Sequence, residues 1–138
     1  MGYEINSRYC VASIPAKNFD KALAVLQGLP DDVRFGWVDG PANKITDLAE
    51  LFSNIGFEVR VDSADGELHL EYFTGKTGSE EKVLSLLCPF FRPNDCIEWS
   101  GEEGEFWRVN LGGDVMLVAD GFVGYGAPYP SVLSSTNY

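Results

Sequence analysis

The sequence predicts an α+β domain: an antiparallel sheet with two to three helices packed on one face, built around helix-plus-hairpin units. Four observations lead there. Ile45, Leu48, Ala49, Phe52 and Ile55 recur at helical spacing, and Gly56 follows where a left-handed cap belongs. Phe57, Val59 and Val61 then alternate with Glu58, Arg60 and Asp62, the period of a half-buried strand. Ala64-Asp65-Gly66 turns the chain back into Leu68, Leu70 and Tyr72. Finally, a second stretch repeats this order of helix, then hairpin, between Ser79 and Leu111.

The remaining elements follow in chain order. Arg8 to Ile14 is rich in strand-forming residues and stops at Pro15. Asn18 stands as a helix N-cap before Phe19, Ala22, Leu23 and Leu26, with Gly28 at the end. LPDDVRFGWVDGPAN holds two prolines and two glycines, which reads as loop with a short strand from Val33 to Val38. Ser79 is placed to cap a third helix, with Glu80 and Glu81 favoured in its first turn by the helix dipole. Its core-facing residues are Val83, Leu86, Leu87 and Phe90, and Pro93 prevents continuation. Cys96–Ser100 and Glu105–Leu111 form the second hairpin. Gly112-Gly113 turns into a strand at Val115–Val118. Gly66-Glu67 in the first hairpin lines up with Gly104-Glu105 in the second, a short echo that two converging Gly-Glu turns would also produce.

At 138 residues the chain is the size of one domain, long enough to bury roughly 70% of its unfolded surface without a metal or a disulfide. Residues 1–120 read as that domain. Residues 121–138 carry no charged side chain and are rich in Gly, Pro, Ser and Tyr, which predicts a flexible tail, or one that docks through Phe122, Tyr125 and Tyr129. No basic segment followed by an apolar run opens the chain, and no apolar stretch approaches 18 residues, so a cytoplasmic setting with no membrane partner is expected.

The net charge is −11, from 21 acids against 10 bases. Such a chain repels nucleic acid and anionic membranes, so no direct nucleic-acid contact is expected. It attracts basic surfaces, although acids also simply keep a protein dispersed.

Chemistry is sparse. His69 is the only histidine, and it lies in mid-strand on the polar side. Three scattered cysteines, Cys10, Cys88 and Cys96, make neither a disulfide framework nor a zinc site, and their apolar surroundings read as structural. DSADGE, from Asp62 to Glu67, lacks the length and the terminal bidentate glutamate of a calcium loop. No metal, cofactor or catalytic group is expected. FTGKTGSEE, from Phe73 to Glu81, runs from strand into helix, and Lys76, Thr77 and Ser79 there offer an alternative seat for a nucleotide phosphate. It lacks the upstream spacing of a P-loop, and Glu80 and Glu81 repel phosphate.

SGEEGEFWRVNLGG turns at Glu102-Glu103-Gly104. Trp107, Val109 and Leu111 then point one way, and Phe106 and Arg108 the other. Ile97 and Trp99 have the parity to join the apolar side. An exposed tip leaves its carboxylates ionised and equivalent, which suits recognition better than acid–base catalysis.

IEWSGEEGEFWRVNLGG, after an apolar helix ending in CPFF, resembles the C-terminal hairpin of small phage and mobile-element proteins. The resemblance implies a viral setting and no activity. It points to an acidic, non-enzymatic inhibitor of a basic host protein, of the anti-CRISPR kind, acting as a monomer or small homo-oligomer. Asp62, Asp65, Glu67, Glu102, Glu103 and Glu105, with Arg108 beside them, are the expected contact residues. A small-ligand module or a phage assembly subunit are the alternatives.

Overall fold

The computed structural model describes residues 3–121 and the backbone of Tyr129–Pro130. Among the described residues seven strands form one antiparallel sheet: β1 (Glu4–Ile14), β2 (Phe57–Val61), β3 (Leu68–Lys76), β4 (Cys96–Gly101), β5 (Phe106–Asn110), β6 (Leu117–Gly121) and β7 (Tyr129–Pro130). Their order is β2-β3-β1-β4-β5-β6-β7. Three helices, α1 (Phe19–Gln27), α2 (Leu48–Ile55) and α3 (Glu80–Leu87), cover one face and enclose a single core with it. The α+β class holds, as do both hairpins.

β1 lies at the centre, between the two hairpins. It is longer than its sequence suggests because it does not alternate. The register against β4 shifts between Ser7 and Tyr9, so Arg8 is an extra residue. A bulge of this kind exchanges the two faces. Ile5 and Ser7 face inward before it, and Ala12 and Ile14 after it, so no single period-two reading spans the strand.

A second bulge changes β3. Glu58 pairs with Tyr72 but Val59 pairs with Leu70, which leaves Glu71 extra. Leu68 and Leu70 are buried as expected, but Tyr72 is 40% exposed and Phe73 takes its place in the core. Gly56, at φ 123°, sits under the Phe73 ring, where a Cβ would lie 2.6 Å from the ring edge. Phe73 meets Phe57 and Trp99 edge to face, and Phe57 meets Phe52 the same way. Each such contact adds about 0.5–1.5 kcal/mol to the burial itself.

The helix starts differ from expectation in an instructive way. Asp47 caps α2, accepting from the Glu50 N–H, while Ile45 precedes the helix and is buried all the same. Asn18 does not cap α1; its amide reaches across to the Phe90 carbonyl at 3.0 Å. Ser79 does not cap α3; its hydroxyl accepts the Gly36 N–H at 2.7 Å. Two hydroxyl or amide groups that sequence assigns to local capping are instead spent on long-range ties. On α3, Leu84 is fully buried and Leu86 only partly.

Residues 33–38 form no strand. Pro30 and Phe35 accept hydrogen bonds that close successive turns, and Trp37 stands at φ 70° with its side chain 68% exposed. The last connection is also longer than a Gly-Gly turn. Residues 111–116 form it, with Val115 exposed and Met116 buried, and β6 begins only at Leu117. Residues 122–138 lie outside the described residues, apart from the backbone of β7, which pairs with Leu117 and Val118. The expectation of a flexible or docking tail falls there. Among the described residues no helix is long and apolar enough to cross a membrane.

Candidate functional site

The register of β1 separates the two acidic hairpin tips. Ile14 pairs with Leu68, beside the β2–β3 tip, and Ile5 pairs with Gly101, beside the β4–β5 tip. Nine residues at about 3.3 Å each put roughly 30 Å between them. The six expected contact acids therefore make two separate groups at opposite ends of the sheet.

At the Ile14 end the acids build structure. The Asp62 carboxylate accepts the N–H groups of Ala64 and Asp65, and Asp65 accepts that of Glu67. These bonds hold the Asp62 carboxyl below its usual range. Glu67 is not an exposed contact residue. It is 5% exposed, and the Arg92 guanidinium grips both its oxygens, one at 2.7 Å. The Arg92 hydrogen bonds pull its carboxyl down to about 2. Its parity is opposite to that of Leu68 and Leu70; it is buried because Arg92, on the chain that leaves α3, lies against it, and the sequence carries no local signal of that.

The Ile5 end gathers acids. The β4–β5 turn closes with the Gly101 N–H on the Glu105 carbonyl, and Gly104 takes φ 88°. Glu102 and Glu103 are exposed. The Glu102 N–H donates to the Glu4 carbonyl and the Glu102 carboxylate accepts from the Glu4 N–H, so the tip is bolted to the start of β1. Glu105 accepts from the Tyr3 hydroxyl and from the Glu103 N–H. The Tyr3 bond lowers the Glu105 carboxyl below its ordinary value. Glu105 thus shapes the turn more than it offers a free charge. Arg108 lies on the outer face opposite Glu98 and Ala119, half-buried and engaged within the molecule.

The start of α3 joins the same end, because the Thr77 N–H donates to the Tyr3 carbonyl at 2.7 Å. Glu80 is 6% exposed. Its carboxylate accepts from the Thr77 hydroxyl at 2.5 Å and from the Gly78 N–H at 2.6 Å. The anion seat read from Lys76, Thr77 and Ser79 is therefore filled from within. Thr77 and Gly78 serve Glu80, Ser79 serves Gly36, and Lys76 is exposed opposite Glu4.

Between α3 and the sheet lies a cleft of about 210 Å³. Ile5, Leu84, Trp99, Trp107 and Val109 form its walls, with Thr77, Gly78, Glu80 and Glu81 on one side. Trp99 and Trp107 are cross-strand partners whose rings stack at 6.3 Å and 21°. The parity read from the sequence holds here: Ile97, Trp99, Val109 and Leu111 are all buried, and Trp107 packs on them half-exposed.

The three cysteines are free thiols. Burial raises all of them, Cys10 to about 12. Among the described residues no group of three His, Cys, Asp or Glu side chains could hold a metal ion.

The fold and this end of it define an acidic α+β protein with an aromatic cleft beside its glutamates. Comparison with protein-family models, curated proteins and solved structures yields no match, so the chain's own residues carry the functional reading.

Proposed function

We propose that this is a non-enzymatic binding protein whose acidic end covers a basic surface on a macromolecular partner. One observation carries the reading: the exposed Glu4, Glu81, Glu102 and Glu103 lie where β1, the β4–β5 tip and α3 meet, with the tip tied to the start of β1 by hydrogen bonds. A rigid array of carboxylates competes for lysines and arginines that otherwise hold phosphates, and it speeds the encounter through charge. The resemblance of Ile97–Gly113 to phage and mobile-element hairpins favours a host defence nuclease complex as the partner.

The test is a pull-down with the tagged protein from bacterial lysate at low and moderate salt. The expected result is a basic nucleic-acid-binding protein retained at low salt and weakened by salt. It should be lost when Glu102→Lys and Glu103→Lys are combined, while the protein remains folded. A blank at both salts, or equal capture by the charge-reversed protein, removes the acidic end from the function. The nucleotide alternative predicts that nucleotides raise the melting temperature of the protein alone. The internal use of Thr77, Gly78 and Ser79 speaks against it.

A further inference from the structure

Glu67, Glu80 and Asp95 are the carboxylates that the described residues bury. Burying a charge is costly unless a cation compensates it. Glu67 is paired with Arg92. Asp95 accepts from the N–H groups of Ser13 and Arg92, and the Arg92 charge acts on it too. Glu80 stands apart. Its two partners, the Thr77 hydroxyl and the Gly78 N–H, are neutral, and among the described residues no ion pair reaches it.

That uncompensated carboxylate lines the cleft walled by Trp99 and Trp107. Glu81 is exposed at the same cleft, and Asp120, also exposed, is the cross-strand partner of Trp107 on β6. Among the described residues no basic side chain lines it. The volume is below the roughly 300–1,000 Å³ of sites for whole small molecules. An aromatic wall with buried and exposed carboxylates around it matches one chemical group best. A guanidinium is planar, stacks on an indole face, and donates two parallel hydrogen bonds to a carboxylate. A lysine ammonium can use the charge but neither the plane nor the fork.

We propose that this cleft is a socket for an arginine side chain of the partner, held by stacking on Trp107 and by the carboxylates of Glu80 and Glu81. The socket rests on the reading of the acidic end as the partner-binding surface and supplies its specificity: the bolted tip attracts a basic surface, and the cleft selects arginine within it. The competing explanation is that Glu80 acts solely as the anion of α3, whose N-terminus it occupies.

The experiment uses the full chain carrying Trp37→Phe, so that tryptophan fluorescence reports Trp99 and Trp107. It is titrated with N-acetylarginine amide, its lysine counterpart and its neutral citrulline isostere. The expected result is a saturable change with the arginine probe, weaker with lysine and weaker by about tenfold or more with citrulline. Glu80→Gln and Glu81→Gln should each weaken the arginine response severalfold while the protein remains folded. Equal responses to arginine and citrulline, or no saturation, overturn the socket. So does an arginine response unchanged in both glutamine variants, which leaves Glu80 as a helix anion only.

A pull-down separates the two proposals. If the arginine probe binds but no basic protein is captured, the cleft is an arginine-binding site in its own right and the partner reading falls. If a partner is captured equally well by the Glu80→Gln/Glu81→Gln protein yet lost on reversal of Glu102 and Glu103, the socket falls and the acidic end stands.

Discussion

Arg92 donates two hydrogen bonds to Glu67 across 25 positions of sequence, and the pair joins the two layers of the molecule. Arg92 follows the 3₁₀ turn that ends α3, and Glu67 immediately precedes the return strand of the first hairpin. The Arg92 backbone N–H donates to the Ser13 carbonyl, and Asp95 accepts from the Ser13 N–H at 2.8 Å. The end of β1, the β2–β3 tip and the chain leaving α3 therefore meet at one polar knot.

Breaking that knot should cost stability. Glu67→Gln keeps the shape and removes the charge, and Arg92→Ala leaves Glu67 buried without its cation. Each is expected to lower the urea midpoint, since a charged hydrogen bond is lost and the Glu67 site is left underserved. Urea unfolding at neutral pH measures this, and wild-type midpoints for both variants would contradict it.

The same pair sets the acid limb of stability. The folded Glu67 carboxyl titrates at about 2, against an ordinary 4.5. A depressed carboxyl contributes stability that is full above the unfolded value and is lost as pH falls from about 4.5 toward 2. Asp95, which burial holds above its ordinary range, works in the opposite sense. Stability of the wild type should fall more steeply than that of Glu67→Gln across this window. Parallel curves would remove Glu67 from the acid transition.

Gly112 is required by close approach. It takes φ 91°, and a Cβ there would lie 2.2 Å from the Arg92 carbonyl oxygen. Gly112→Ala should destabilise by at least about 1–3 kcal/mol. Gly113 is the control, because a Cβ there meets nothing nearer than 3.8 Å. Similar melting temperatures for the two alanine variants would contradict this.

The tryptophans should part company. Trp37 is 68% exposed at φ 70°, a region that costs an L-residue about 1–2 kcal/mol. Trp37→Gly should leave the melting temperature unchanged or raise it. Trp99, 2% exposed and central to the aromatic cluster, should cost about 3–5 kcal/mol as Trp99→Ala. Equal losses would mean that Trp37 packs as a core residue.

The thiols should be silent in the folded protein. Burial raises Cys10, Cys88 and Cys96 alike, which suppresses the reactive thiolate. An aromatic disulfide reagent at pH 8 should react slowly with native protein and with all three cysteines in denaturant. A fast native phase would contradict the burial.

The sequence by itself determined the parts whose signals are local. The apolar stripe from Leu48 to Ile55 depends on neighbours three and four residues away, and the inward parity of Ile97, Trp99, Val109 and Leu111 depends on a period of two. The glycines at 56, 66 and 104 mark turns because backbone sterics at one residue require them. Tertiary structure decided the rest. The bulges at Arg8 and Glu71 exchange faces without a sequence mark, so Phe73 replaced Tyr72 in the core. Ser79 and Asn18 left their expected caps because a distant partner, Gly36 or Phe90, was within reach. The acidic residues read equally exposed along the chain, yet strand order put the two tips at opposite ends of β1, buried Glu67 against Arg92, and set Glu80 beside Trp107. Charge is legible residue by residue; its neighbourhood depends on which strands lie side by side, and that is decided by contacts far apart in the chain.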